Sequence, residues 1–174
     1  MGKKKKALRG LFLFAYSNIV QVHNTIPISQ HNPFKEIEMA KDLEQRVTEA
    51  AERSGIPVEE MVITSGAALY LLAVRNTFGD VDISVNLANW NKISGRFPID
   101  CTKRVPIIRF VDLDVDIHLD SDSANGWTRT IDGLTIAHPK LLLEQKRQLM
   151  KRLNRAKDEQ DVAALEQYIR GHQL

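Results

Sequence analysis

Apolar positions change their period several times along this chain, and each change marks an element. From Pro33, the residues Ile37, Ala40, Leu43, Val47 and Ala50 recur at three- and four-residue spacing, which predicts a helix opened by the proline and stopped at Gly55. Met61-Val62-Ile63-Thr64 is a short apolar run that predicts a strand. An Ala- and Leu-rich segment follows and predicts a helix over Ser65 to Thr77, with Ser65 at its N-cap. The period then drops to two. Asp80-Val81-Asp82-Ile83-Ser84-Val85 alternates as a strand does and sets Asp80 and Asp82 on one face. Leu87 to Gly95 reads as a short helix or turn bearing Trp90, and Phe97 to Cys101 as extended chain.

The second half repeats the logic. Val105 to Phe110 and Leu113 to Leu119 predict two tightly joined strands; in the latter, Asp114, Asp116 and His118 share one face and Leu113, Val115, Ile117 and Leu119 the other. Asp120 to Trp127 is rich in Asp, Ser, Asn and Gly and predicts a loop. Leu134 to Ala137 predicts a short strand. Pro139 to Leu153 predicts a helix with Leu141, Leu142, Leu143, Leu149 and Leu153 inside, and Lys157 to Arg170 a second helix ended by Gly171. The sum is an α/β (α+β) domain over residues 33–174: a short mixed sheet backed by the helices Pro33 to Ser54 and Ser65 to Thr77, with a C-terminal helix pair beside it. Residues 1–32 read as a basic N-terminal tail and extension.

Composition narrows the setting without naming a partner. With 174 residues, 43% of them hydrophobic, the chain can bury one proper core. Net charge is only +2, but cations gather at Lys3 to Lys6 and between Lys146 and Lys157, so local contact with nucleic acid is open and not required. A single cysteine, Cys101, excludes an intramolecular disulfide and a multi-cysteine zinc cluster and fits a reducing, cytoplasmic compartment. Leu11 to Tyr16 imitates the core of a leader peptide but is very short, and no run approaches the ~20 apolar residues of a membrane span, so no membrane partner is expected.

The chemistry concentrates between Met61 and Asn86. Exposed amides at the start of the Ser65 segment can face an anion, which is half of a phosphate site. Two carboxylates two residues apart repel unless a cation or proton lies between them, which is half of a metal site. Mg²⁺ suits hard oxygen ligands and shares its shell between carboxylates and substrate phosphates, so a nucleoside triphosphate such as ATP is the ligand the two halves have in common. An isolated Asp-x-Asp is more often the charged outer face of an edge strand. Lys146 taken alone is solvent surface, His118 a filler of the polar face, and Asp158 and Asp161 are helix-terminal charges and ion pairs.

A small-residue turn, a helix and then Asp-hydrophobic-Asp-hydrophobic resembles the signature of the nucleotidyltransferase superfamily that includes DNA polymerase beta, above all its minimal, antitoxin and abortive-infection types. The tract from Pro139-Lys-Leu-Leu-Leu-Glu-Gln-Lys146 to Lys157-Asp158-Glu-Gln-Asp161 is similar to the lysine-bearing helix and Lys-Asp-x-x-Asp helix of the same small proteins. The resemblance covers about Gly55 to Gly171 and implies a nucleotidyltransferase-like fold. It implies an Mg²⁺-dependent enzyme that moves a nucleoside monophosphate from a triphosphate to a hydroxyl and releases pyrophosphate. Asp80 and Asp82 would hold the metals together with a third acid, Asp116 or, second, Asp114. Ser65, Gly66 and Ala67 would bind phosphates, and Lys146 is a candidate for the triphosphate. Where the family carries Gly-Ser or Gly-Gly, this chain has Ser65-Gly66-Ala67, so either the first glycine became serine or the second position became alanine. The alternative is a non-catalytic, antitoxin-like protein that keeps the fold and binds RNA or protein. The acceptor, RNA, protein or small molecule, is not written in the motif, nor is the oligomeric state.

Overall fold

The structure is a computed structural model and describes residues 33–103, 105–120 and 127–174. The lysine tail, the apolar segment Leu11 to Val22 and most of the loop after Asp120 lie outside the described residues. Residues Met39–Leu174 form one compact unit.

Among the described residues, five α-helices and six strands follow in the order α1 (Pro33–Ser54), β1 (Val62–Ile63), α2 (Ser65–Leu71), β2 (Val81–Val85), α3 (Leu87–Ser94), β3 (Ile107–Phe110), β4 (Val115–Leu119), β5 (Thr128–Ile131), β6 (Leu134–Ala137), α4 (Pro139–Leu153) and α5 (Ala156–Gly171). The strands form one mixed sheet in the order β3-β4-β2-β1-β6-β5. β1 runs antiparallel to β2 and parallel to β6, β2 runs parallel to β4, and the two outer pairs are antiparallel hairpins. A mixed α/β domain is therefore what the changing periodicity builds.

The alternation seen in the sequence is the alternation of the sheet. Ile63, Ile83, Ile117 and Ile136, one from each of the four inner strands, are wholly buried and belong to the same core as Leu43, Val47 and Ala50 of α1. Burying one such side chain contributes roughly 1.5–3 kcal/mol, so this shared core fixes the register of every strand that reaches it. α1 stops at Gly55, whose φ of +70° sends its N–H back to the Ala51 carbonyl at 2.8 Å.

Four differences from the periodicity have physical causes. α2 ends at Leu71, not at Thr77, because Ala73 turns left-handed (φ +55°) and the amides of Val74 and Arg75 fold back onto the Leu69 carbonyl at 2.9 and 3.2 Å. A residue with good helix propensity is overridden there by the tertiary anchoring of Arg75 on α5. β4 begins at Val115, since Val111–Leu113 form a single 3-10 turn capped by Asp114 at φ +52°. β5 has no run of apolar residues to announce it; its signal is the Asp132-Gly133 pair, both at positive φ (+52° and +82°), which closes a hairpin onto β6. Leu153, expected inside, is 52% exposed on the last turn of α4.

Candidate acidic site and its charged surround

β2 and β4 lie side by side in parallel with Asp82 opposite Asp116 and Ser84 opposite His118. Residues in register project to the same side, so two acids from separate strands meet. With Asp80, just before β2, they form a group of three carboxylates whose oxygens lie within 4.8 Å of one another. Asp80 is exposed, Asp82 half-buried and Asp116 only 6% exposed. Burial first, and then the neighbouring Asp80 and Asp116 charges, push the Asp82 carboxyl up to about 6, while a hydrogen bond from the Ser65 hydroxyl and the charge of Lys146 pull it back. An all-oxygen donor set whose negative charge Arg109 offsets only in part fits a hard divalent ion. These three residues could hold one.

Asp82 and Asp116 are positioned by different devices. Thr64 closes β1 on β2, with its amide on the Asp82 carbonyl at 2.9 Å and its hydroxyl on the same oxygen at 3.2 Å. Asp116 is gripped by Arg109, its partner in register on β3, through one guanidinium edge, which donates from Nε at 2.5 Å and from Nη2. That bond, together with the Asp116 charge, raises the Arg109 pKa further above its already high value. Beyond the acids, the Ser84 hydroxyl and His118 Nε2 are 2.9 Å apart, and burial holds the imidazole below its ordinary pKa in spite of Asp120 and Asp116. His118 thus has a hydroxyl partner within the face.

Asp114 departs from the predicted face. It caps the turn before β4 in a left-handed conformation, its side chain is 61% exposed, and Arg46 lies 3.9 Å from its carboxylate. It is the backbone of Asp114 that serves the site, since its carbonyl accepts the Val81 amide at 2.9 Å and aligns the start of β2.

The turn carries the alternative left open by the sequence. Ser65 stands at φ +52°, whereas Gly66 is not among the positive-φ glycines, so the serine occupies the position where glycine's freedom is used. A left-handed non-glycine costs roughly 1–2 kcal/mol. Its product here is direction: the Ser65 hydroxyl is aimed at Asp82.

Lys146, expected near the triphosphate, is 7% exposed inside a buried network. Its Nζ lies 2.7 Å from Asp161 and 3.4 Å from Asp158. Asp158 is also held by Arg155 at 2.6 Å, and Asp161 by Arg75 through Nε and Nη2, both at 2.6 Å. Against the desolvation of Asp158, the Arg155 hydrogen bond and the Lys146 charge keep its pKa below the usual carboxylate range. Asp158 and Asp161 are ion-paired, as expected, but as the buried centre of a junction between α4, α5 and the chain after α2. Arg75 was not singled out by the sequence, because nothing in a lone arginine after a helix tells that it will meet an aspartate eighty-six positions away.

No family model matches the chain, and no curated protein matches it. Among solved structures the chain is similar to the Megavirus polyadenylate synthase, with 12% sequence identity and a TM-score of 0.48 over 97% of this chain and 38% of that one. The chain therefore spans well under half the length of that enzyme. Among the described residues, no helix is long and apolar enough to cross a membrane.

Proposed function

We propose that the chain is an Mg²⁺-dependent nucleotidyltransferase that moves a nucleoside monophosphate from a nucleoside triphosphate, ATP or a relative, to a hydroxyl acceptor on RNA, protein or a small molecule. The observation that carries the proposal is the convergence of Asp80, Asp82 and Asp116 within 4.8 Å beside the Ser65-Gly66 turn. Asp80 and Asp82 hold metal and Asp116, in preference to Asp114, completes the set. The bound ion supplies charge neutralisation at the phosphates and a lowered pKa for the attacking hydroxyl. Ser65 holds the Asp82 carboxylate in place, and the Ser65, Gly66 and Ala67 backbone receives phosphate oxygens. Lys146 sets a cation behind Asp82. The acceptor oxygen bonds to the α-phosphorus as the bond to pyrophosphate breaks, and the acceptor's proton leaves to a carboxylate or to water. The proposed setting is cytoplasmic, and the domain is residues 33–174 with residues 1–32 as a basic extension.

A second reading, a non-catalytic binding protein for RNA or protein, draws on the Arg109–Asp116 pair, which neutralises one acid with the chain's own cation. Incubation with each α-labelled nucleoside triphosphate, Mg²⁺ and total RNA, beside Asp82→Asn, decides between them. Label in RNA, protein or a small molecule that disappears in the variant supports transfer. Absence of both label and Mg²⁺-dependent triphosphate binding refutes it in favour of the binding protein.

A further inference from the structure

The buried junction behind the acids contains three cations, Lys146, Arg75 and Arg155, and two carboxylates, Asp158 and Asp161. Lys146 is occupied by both acids, and Arg155 spends only its Nε on Asp158. Arg75 differs in having a nitrogen beside the Gly66 turn. Its Nε and Nη2 are both committed to Asp161, at 2.6 Å each, while its Nη1 has no hydrogen-bond acceptor among the described residues. The Arg75 side chain is 27% exposed, and every buried side-chain nitrogen and oxygen among the described residues has a partner. Nη1 stands beside the Ser65-Gly66 turn: a Cβ placed on Gly66 would stand 3.4 Å from it. Gly66 does not need to be glycine for its backbone, since its φ is not positive. What its missing side chain provides is clear space in front of the guanidinium.

We infer that Arg75 is a triphosphate-binding residue, anchored on Asp161 through two nitrogens and presenting the third, beside Gly66, to the phosphates beyond the reacting one. The inference rests on the nucleotidyltransferase reading above and adds to it a residue and a direction for the leaving pyrophosphate. An arginine fork held rigid by a buried carboxylate loses little freedom on meeting an anion, which is how such a donor gains strength. A lysine at the same place could pair with Asp161 but has no second edge to offer.

Isothermal titration of the full chain with inorganic tripolyphosphate and with ATP, each in Mg²⁺, tests this on wild type, Arg75→Lys, Arg75→Gln and Asp161→Asn, with a thermal melt for each. Loss of one charged hydrogen bond predicts affinity for both ligands about tenfold or more weaker in Arg75→Gln and Arg75→Lys. Arg75→Lys keeps a cation for Asp161 and so keeps its melting temperature near wild type, which separates ligand contact from folding. Asp161→Asn removes the anchor but not the guanidinium, and is expected to melt lower and to bind more weakly than wild type but more tightly than Arg75→Gln. Arg75→Lys or Arg75→Gln binding as tightly as wild type overturns the inference and leaves the nucleotidyltransferase reading standing. Wild type binding neither ligand overturns both.

Discussion

Asp82→Asn is expected to make the metal-free protein more stable at neutral pH while abolishing transfer. In the folded chain the Asp82 carboxyl is pushed from 3.8 to about 6, chiefly by burial and then by Asp80. The native state therefore binds a proton more tightly than the unfolded state. The stabilisation from holding that proton is fully present below 3.8 and is lost as pH rises through about 6, leaving at pH 7.5 an ionised carboxylate in a site that resists it. A difference near two pH units corresponds to roughly 3 kcal/mol, at about 1.4 kcal/mol per unit. An amide at the same place is still partly desolvated, so the expected gain is about 1–3 kcal/mol, or very roughly 3–8 °C in melting temperature for a domain of this size. The assay is thermal unfolding of both proteins in EDTA from pH 4 to 8, repeated with saturating Mg²⁺. The variant's advantage should shrink as pH falls from 7 to 4, and Mg²⁺ should raise wild type but not the variant. An Asp82→Asn protein that melts at or below wild type at pH 7.5 in EDTA would show that the carboxylate is not under electrostatic stress and that the metal argument built on it is wrong.

Other positions respond in different ways. Ser65→Gly relieves a left-handed serine and is expected to stabilise by about 1 kcal/mol in chemical denaturation, while removing the hydroxyl that lowers the Asp82 pKa shifts the acid limb of the activity profile upward. A lower melting temperature for Ser65→Gly contradicts the assignment of strain. Arg109→Gln frees both oxygens of Asp116 from a competing cation, so Mn²⁺ affinity measured by electron paramagnetic resonance should tighten by about threefold or more; unchanged or weaker affinity would mean that the arginine supports the site rather than competes for it. Lys146→Ala leaves Asp158 and Asp161, buried at 0% and 4% exposure, with one cation each in place of two, and should destabilise by about 3 kcal/mol in urea titration. A loss within a few tenths of a kcal/mol would show the junction to be solvated.

What the sequence determined by itself is local and periodic. The span of α1, the short apolar strand at Val62, the alternation that puts Asp82 and Ser84 opposite Ile83, and the helix pair after Pro139 all follow from spacing, because a helix or strand with one buried face must repeat its apolar residues at that element's own period. The acids Asp80, Asp82 and Asp116 were legible as candidates for the same reason. The tertiary structure decided which of them meet. Asp114 and Asp116 are two residues apart and share a face on paper, yet one 3-10 turn before β4 removes Asp114 from the strand and leaves Asp116 in register with Asp82. Likewise Ser65, not Gly66, took the left-handed backbone, and Lys146 was drawn into a junction with two buried acids while Arg75, unmarked in the sequence, came to stand at the turn. Register, turn geometry and long-range ion pairing depend on segments distant along the chain, so no local pattern contains them; they are fixed when the isoleucines of four strands find one common core.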